Sequence, residues 1–401
     1  MHERYIARQP IFDARMKLYG YELLFRDGPQ NAFSPVKEAS SSVIVDSTML
    51  FDLQALTGSG KAFINLDRGA LLNGAALLLP PERTVLEILE SVEPTPEVVN
   101  ACGELCHKGY HLALDNFTDH PKSAPLVVLA KFLKVDFGVC HAEEREAIAH
   151  RYGGTNLHLL AEKVETHASK RDADRLGYTF FQGYFFCKPN MVEARQVPPN
   201  KIIYLRLLEA ASAAEISHKE IEAIIKQDPS LVYRLLRYLN SPLMGFRSEI
   251  HSIHHAINLL GDQEFRRWAT ILAVVAMAGG KPPELIRTAL TRAYFCEEIS
   301  GRLGMPADSS DLFLMGLLSV TDALLDLPIE QILAGLPVSE DVTLALSRKA
   351  SRFTDIYDTV LSYEQGDWSK IATALGSRID VEEHVPACYI ESARRADAVV
   401  V

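Results

Sequence analysis

An α/β TIM-like barrel followed by an all-helical module is predicted by three features of this 401-residue chain. Its length exceeds what one hydrophobic core organises, so two domains of about 200 residues each are expected. Between Lys61 and Gln182 short apolar runs recur, each ending in a polar residue. Beyond a polar stretch with two adjacent prolines the apolar spacing becomes helical.

The runs AFIN, TVLE, LALD, LKVD, LLAE and FFQ end at Asn65, Glu87, Asp115, Asp136, Glu162 and Gln182, at intervals of 22, 28, 21, 26 and 20 residues. Each interval holds one strand, one helix and two loops, the unit of a parallel sheet or barrel. Thr95-Pro96 opens one intervening helix and Gly109 closes it. On one face of a βα barrel the strand ends converge, so acids, Asn65 and Gln182 would share a pocket. Such oxygen donors suit Mg²⁺ or Mn²⁺, and a metal with a phosphate ester is the natural chemistry.

Other features exclude alternatives. Lys and Arg number 41 against 52 Asp and Glu, and the net charge of -11 opposes binding to nucleic acid. With no long apolar run and a polar Met1–Gln9, neither a membrane span nor a secretory signal is expected, and the address reads as cytoplasmic. The six scattered cysteines read as reduced thiols. Cys102 and Cys106 share a helical stripe with Val98 and Leu105, which points to packing. TGSGKA, from Thr57 to Ala62, reads as a glycine turn entering a strand, and His158 as a packed strand residue.

The domains are placed at 1–190 for the barrel, 191–201 for a linker and 202–395 for the helical module. Ser217 with Glu220 forms a capping box, Asp228-Pro229 starts another helix, and Ser252 opens one closed by Gly261. His254 and His255 cannot both face one ion from a helix and read as helix surface.

Residues 3–190 resemble the EAL domain of cyclic di-GMP phosphodiesterases. The likeness rests on RQPIFD (Arg8–Asp13), YELLFR (Tyr21–Arg26), FINL, LEILES, LALDNF, LKVD, AEKVET and QGYFFCKP. It implies that Glu22, Asn65, Glu87 and Asp115 hold a first metal, with Glu162 in the general-base position and Lys134 orienting the attacking water. Gln9, Arg26 and Gln182 would contact the nucleotide, and Glu165 would support the site. Asn116 stands where a second aspartate would help hold a second metal. The following loop, Phe117–Ser123, lacks glycine, and Lys163 stands where glycine is usual. The family pairs through that loop, so its change leaves the oligomeric state open.

The helical half, about 200–390, resembles the HDOD module, related in shape to HD phosphohydrolases. It carries DPSLVYRLLRYLNSPLMGF and IHSIHHAINLLGDQEFRRW, and Gly316-Leu317-Leu318-Ser319-Val320 where GLLHD would stand. This implies no metal in that half and a protein-interaction role. The leading reading is thus a signalling regulator with a degenerate, non-hydrolytic barrel that senses cyclic di-GMP or acts as a scaffold, with Mg²⁺ or Mn²⁺ at a weakened site. The alternative is an active metal-dependent phosphodiesterase releasing the linear dinucleotide.

Overall fold

The computed structural model describes residues 4–27, 53–188, 199–213, 215–228, 231, 253–375 and 379–400. They form two compact units, one from the N-terminus to Phe186 together with Asp358–Val399, the other Cys187–Tyr357.

The first unit is built on a closed eight-stranded barrel. Its strands are β1 (Arg4–Asp13), β2 (Leu18–Asp27), β3 (Lys61–Leu66), β4 (Thr84–Ile88), β5 (His111–Leu114), β6 (Phe132–Asp136), β7 (His158–Glu162) and β8 (Phe180–Gln182). Strands β2 to β8 run parallel as the repeat predicts, while β1 is antiparallel to both β2 and β8. The connection Ala14–Lys17 is too short for a crossover and can only fold the chain back on itself. Asp13 Oδ1 accepts from the backbone N–H groups of Arg15 and Lys17, each at 2.9 Å, which fixes that turn.

Inward-facing side chains are layered. Ile11, Phe63, Val85, Ala113, Phe132, Leu160 and Phe180 form one buried layer, with Tyr19 packed against it. His158 lies against the rings of Phe132 and Phe180, at 5.3 and 5.2 Å, and so packs as expected. Side chains in a strand return to the same face every second residue. Two residues beyond the apolar layer therefore stand Asn65, Glu87, Asp115, Lys134, Glu162 and Gln182, all inward and at the end where the loops leave.

Numbering only helices of eight residues or more, the barrel is wrapped by α1 (Pro96–His107), α2 (Ala142–Tyr152) and α3 (His167–Leu176). Thr95 caps α1, accepting from Val98 N–H, and Gly109 follows its end at φ 91°. Cys102 is fully buried on α1, and burial pushes its thiol up to about 12.

The second unit is helical, with α4 (Pro199–Ser212), α5 (His218–Lys226), α6 (Ile253–Met277), α7 (Pro283–Arg302) and α8 (Ser309–Leu318). Ser217 caps α5 as read from the sequence, and Gly261 interrupts α6 at φ 70°, ψ 170°. Helices α7 and α8 approach closely at Gly316, where a Cβ would lie 2.4 Å from the Arg292 carbonyl oxygen. Pro229 and the side chains of His254 and His255 lie outside the described residues.

The sequence reading carries the helical module to residue 395, but residues 358–399 pack with the barrel. They comprise most of α9 (Thr354–Gln365), then α10 (Trp368–Leu375) and most of α11 (Ile379–Val400). Tyr363, fully buried, donates its hydroxyl to the Ile6 carbonyl at 3.2 Å and packs against Trp368 and Tyr389 at 5.0 and 4.7 Å. On α11, Asp397 pairs with buried Arg8 at 3.1 Å. Long-range apolar burial and this ion pair decide where the C-terminal helices sit, and local periodicity contains neither.

Candidate metal and nucleotide site

Lys134 stands at the centre of the polar layer, with no solvent exposure. Its Nζ lies 2.8 Å from Glu87 Oε2, 2.9 Å from Glu162 Oε1, 3.1 Å from Glu22 Oε2 and 3.4 Å from Asp115 Oδ1. Four carboxylates thus share one ammonium. Burial opposes the lysine's charge, yet the surrounding carboxylates raise its pKa well above the ordinary value. Burial first, then Glu22, raises Glu87 well above the usual range. Burial likewise pushes Glu162 up to about 8, with Asp115 and Glu22 adding to it and Lys134 opposing. Four negative charges around one positive charge leave an excess that a dry site relieves by keeping protons.

Amides complete the ring. Asn65 Nδ2 donates to Glu22 Oε1 at 3.0 Å, and Gln182 Nε2 donates to Glu22 Oε2 at 2.7 Å and to Gln9 Oε1 at 3.0 Å. Among the described residues, Asn65 Oδ1 and Glu87 Oε1 are buried acceptors that meet no hydrogen-bond donor. Unsatisfied buried oxygens beside carboxylates are the donor chemistry of a hard divalent cation, so the residues fit Mg²⁺ or Mn²⁺. Among the described residues, no three His, Cys, Asp or Glu groups stand ready to hold a metal. The carboxylates are spread around an ammonium at 2.8–3.4 Å, whereas Mg²⁺ draws oxygens to about 2.1 Å. A cation here has to displace the lysine.

Two positions that depart from the EAL pattern take left-handed backbone, Asn116 at φ 43° and Lys163 at φ 52°. Asparagine tolerates this conformation and lysine pays for it in strain. Lys163 Nζ reaches Asp136 Oδ2 at 2.5 Å, and Asp136 Oδ1 accepts from Gly138 N–H at 2.7 Å. Asp136 is one of the strand-end acids that the repeat places at the pocket. It lies two residues beyond Lys134 on β6, in register with Glu162 on β7. The loop after Asn116 is tied to α2, with Asp119 accepting from Arg151 at 2.8 Å and from the Tyr152 hydroxyl at 2.8 Å.

Among the other expected site residues, Glu165 is exposed and is not one of Lys134's partners. Arg26 lies on β2 opposite Tyr5, with its side chain outside the described residues.

In the helical unit, Ser319, at the place of the HD histidine, accepts a hydrogen bond from Arg292 at 3.2 Å. That unit also holds a cavity of about 510 Å³ lined in part by Arg266, Phe313 and Val338. On its wall Arg267 makes a forked pair with Glu297, both bonds 2.7 Å.

Residues 197–324 match the HDOD domain family. The cyclic di-GMP phosphodiesterase CdgJ of Vibrio cholerae serotype O1 is 34% identical over 376 residues, 92% of this chain and 87% of that protein. This chain is an EAL-HDOD protein. A second relative, the uncharacterized protein YuxH of Bacillus subtilis strain 168, is 32% identical over 398 residues, 97% of each chain. Among solved structures, a standalone EAL protein from Vibrio cholerae O395, in its c-di-GMP bound form, is 24% identical, covering 47% of this chain and 92% of that one with a TM-score of 0.36. Among the described residues of this EAL-HDOD protein, no helix is long and apolar enough to cross a membrane.

Proposed function

We propose that this EAL-HDOD protein is a signalling regulator whose barrel binds cyclic di-GMP with at most one divalent cation and does not hydrolyse it, while the helical module contacts protein partners. The observation that carries this reading is Asn116, a neutral amide in left-handed backbone where a second aspartate would stand, together with Asp136 held by the exposed Lys163. Hydrolysis by two dications about 3.5–4 Å apart needs enough carboxylate to offset their repulsion. Here Asn116 is neutral and Asp136 is already paired.

A single divalent cation, when bound, would be held by Glu22, Asn65, Glu87 and Asp115 and would supply charge neutralisation at a phosphate oxygen. In the metal-free site burial pushes Glu162 up to about 8, so that it holds a proton at neutral pH until a cation offsets the neighbouring carboxylates. Gln182 and Gln9 orient each other's amides at the rim.

Isothermal titration of the full chain with cyclic di-GMP and Mn²⁺, alongside chromatography of the products, tests the proposal. Binding without linear dinucleotide is the expected result, and sustained product formation would overturn it. The name of the relative CdgJ and the retained Glu22, Asn65, Glu87, Asp115, Lys134 and Glu162 favour a second reading, an active phosphodiesterase. On that reading Glu162→Ala abolishes product.

A further inference from the structure

We propose that the C-terminal end of α9 is a cap on the barrel mouth that has to withdraw from Gln9 before an anionic ligand can bind. The inference rests on the reading of Gln9 as a nucleotide contact. The last carbonyls of a helix have no partner within it, and α9 ends at Gln365, followed by Gly366 at φ 69°. The carbonyls of Glu364 and Gln365 both accept from Gln9 Nε2, each at 3.4 Å. The Tyr184 hydroxyl donates to the Glu364 carbonyl at 2.7 Å.

Gln9 is thereby engaged. A glutamine amide has two N–H donors. Its Nε2 lies within reach of both cap carbonyls, and its oxygen accepts from Gln182, the residue that also bonds Glu22. While the cap is seated, Gln9 Nε2 is turned to the two cap carbonyls rather than to a phosphate or a base. The electrostatics act in the same direction, because a helix C-terminus carries partial negative charge and disfavours an anion beside it. At 3.4 Å the two Gln9 bonds are long for N–H···O and cheap to break.

The cap is nevertheless anchored behind its tip. Tyr363 is buried and bonds the Ile6 carbonyl. Arg8, on the opposite face of β1 from Gln9, donates to Asp397 of α11 at 3.1 and 3.3 Å and to the Leu56 carbonyl at 2.7 Å. A firmly held base with a weakly bonded tip is the construction of a hinged cover.

The test is Tyr184→Phe in the full chain, which removes the strongest bond at the tip and spares the carboxylates, Gln9 and Gln182. Cyclic di-GMP affinity is measured by calorimetry, with hydrogen exchange of the 364–367 amides recorded with and without nucleotide. Apparent affinity scales with the open fraction, so loss of this one bond is expected to tighten binding about five- to tenfold. Nucleotide is expected to speed exchange at 364–367. Binding by the variant and not by the wild type also supports the cap. Equal affinity with unchanged exchange overturns the cap alone, whereas no binding by either chain overturns the nucleotide reading and the cap with it.

Discussion

Replacing Lys134 with methionine should destabilise the barrel unit most at neutral and alkaline pH. The side chain is fully buried and holds four carboxylate oxygens at 2.8–3.4 Å, so no water replaces the lost ammonium. Removing one partner of a buried ion pair costs about 3–5 kcal/mol. The loss shrinks where carboxyls can take up protons instead, since each pKa unit is worth about 1.4 kcal/mol. For a unit of roughly 200 residues this amounts to a drop of about 10 °C in Tm near pH 7.5, fading towards pH 5. Mn²⁺ should restore much of it by supplying the missing positive charge. The two tryptophans fall one in each unit, so the fluorescence of Trp368 in a Trp268→Phe background follows the barrel unit alone. Equal stability of Lys134→Met and its parent at pH 7.5 without metal, or a loss unaffected by acid and by Mn²⁺, would refute the picture of an internal counter-ion.

Three further outcomes are expected. Glu162 has a folded-state pKa raised from the ordinary 4.5 to about 8, so its contribution to metal-free stability is present below about 4.5 and is lost as pH rises through 8. Urea midpoints of the parent relative to Glu162→Gln should therefore decline across that window, and a relative rise would count against it. Asn116→Asp combined with Lys163→Gly should raise Mn²⁺ stoichiometry from one to two per chain in titrations monitored by electron paramagnetic resonance, because a carboxylate is added and Asp136 is released. Gly183 sits at φ 139°, and a Cβ there would meet the Val164 carbonyl oxygen at 2.2 Å, so Gly183→Ala should cost about 3 kcal/mol and loosen Gln182 beside it, measured as a lower barrel Tm.

Much of the site was written in the sequence, because strand geometry is local. The two-residue alternation that buries Phe63, Val85, Phe132, Leu160 and Phe180 also aims Asn65, Glu87, Lys134, Glu162 and Gln182 inward two residues later. The cap residues Thr95 and Ser217 were equally legible, since a helix start is set by a few neighbouring side chains. Only closure of the barrel decided that Lys134 would sit among four carboxylates rather than merely near them. It brings together strands whose residues lie as far apart as Glu22 and Gln182. The Lys163–Asp136 pair depends on a left-handed turn that the residue type does not advertise. The seat of the C-terminal helices is least local of all. Arg8–Asp397 and Tyr363–Ile6 join opposite ends of the chain, and their energy comes from buried apolar area and paired charge that exist only once both ends have folded.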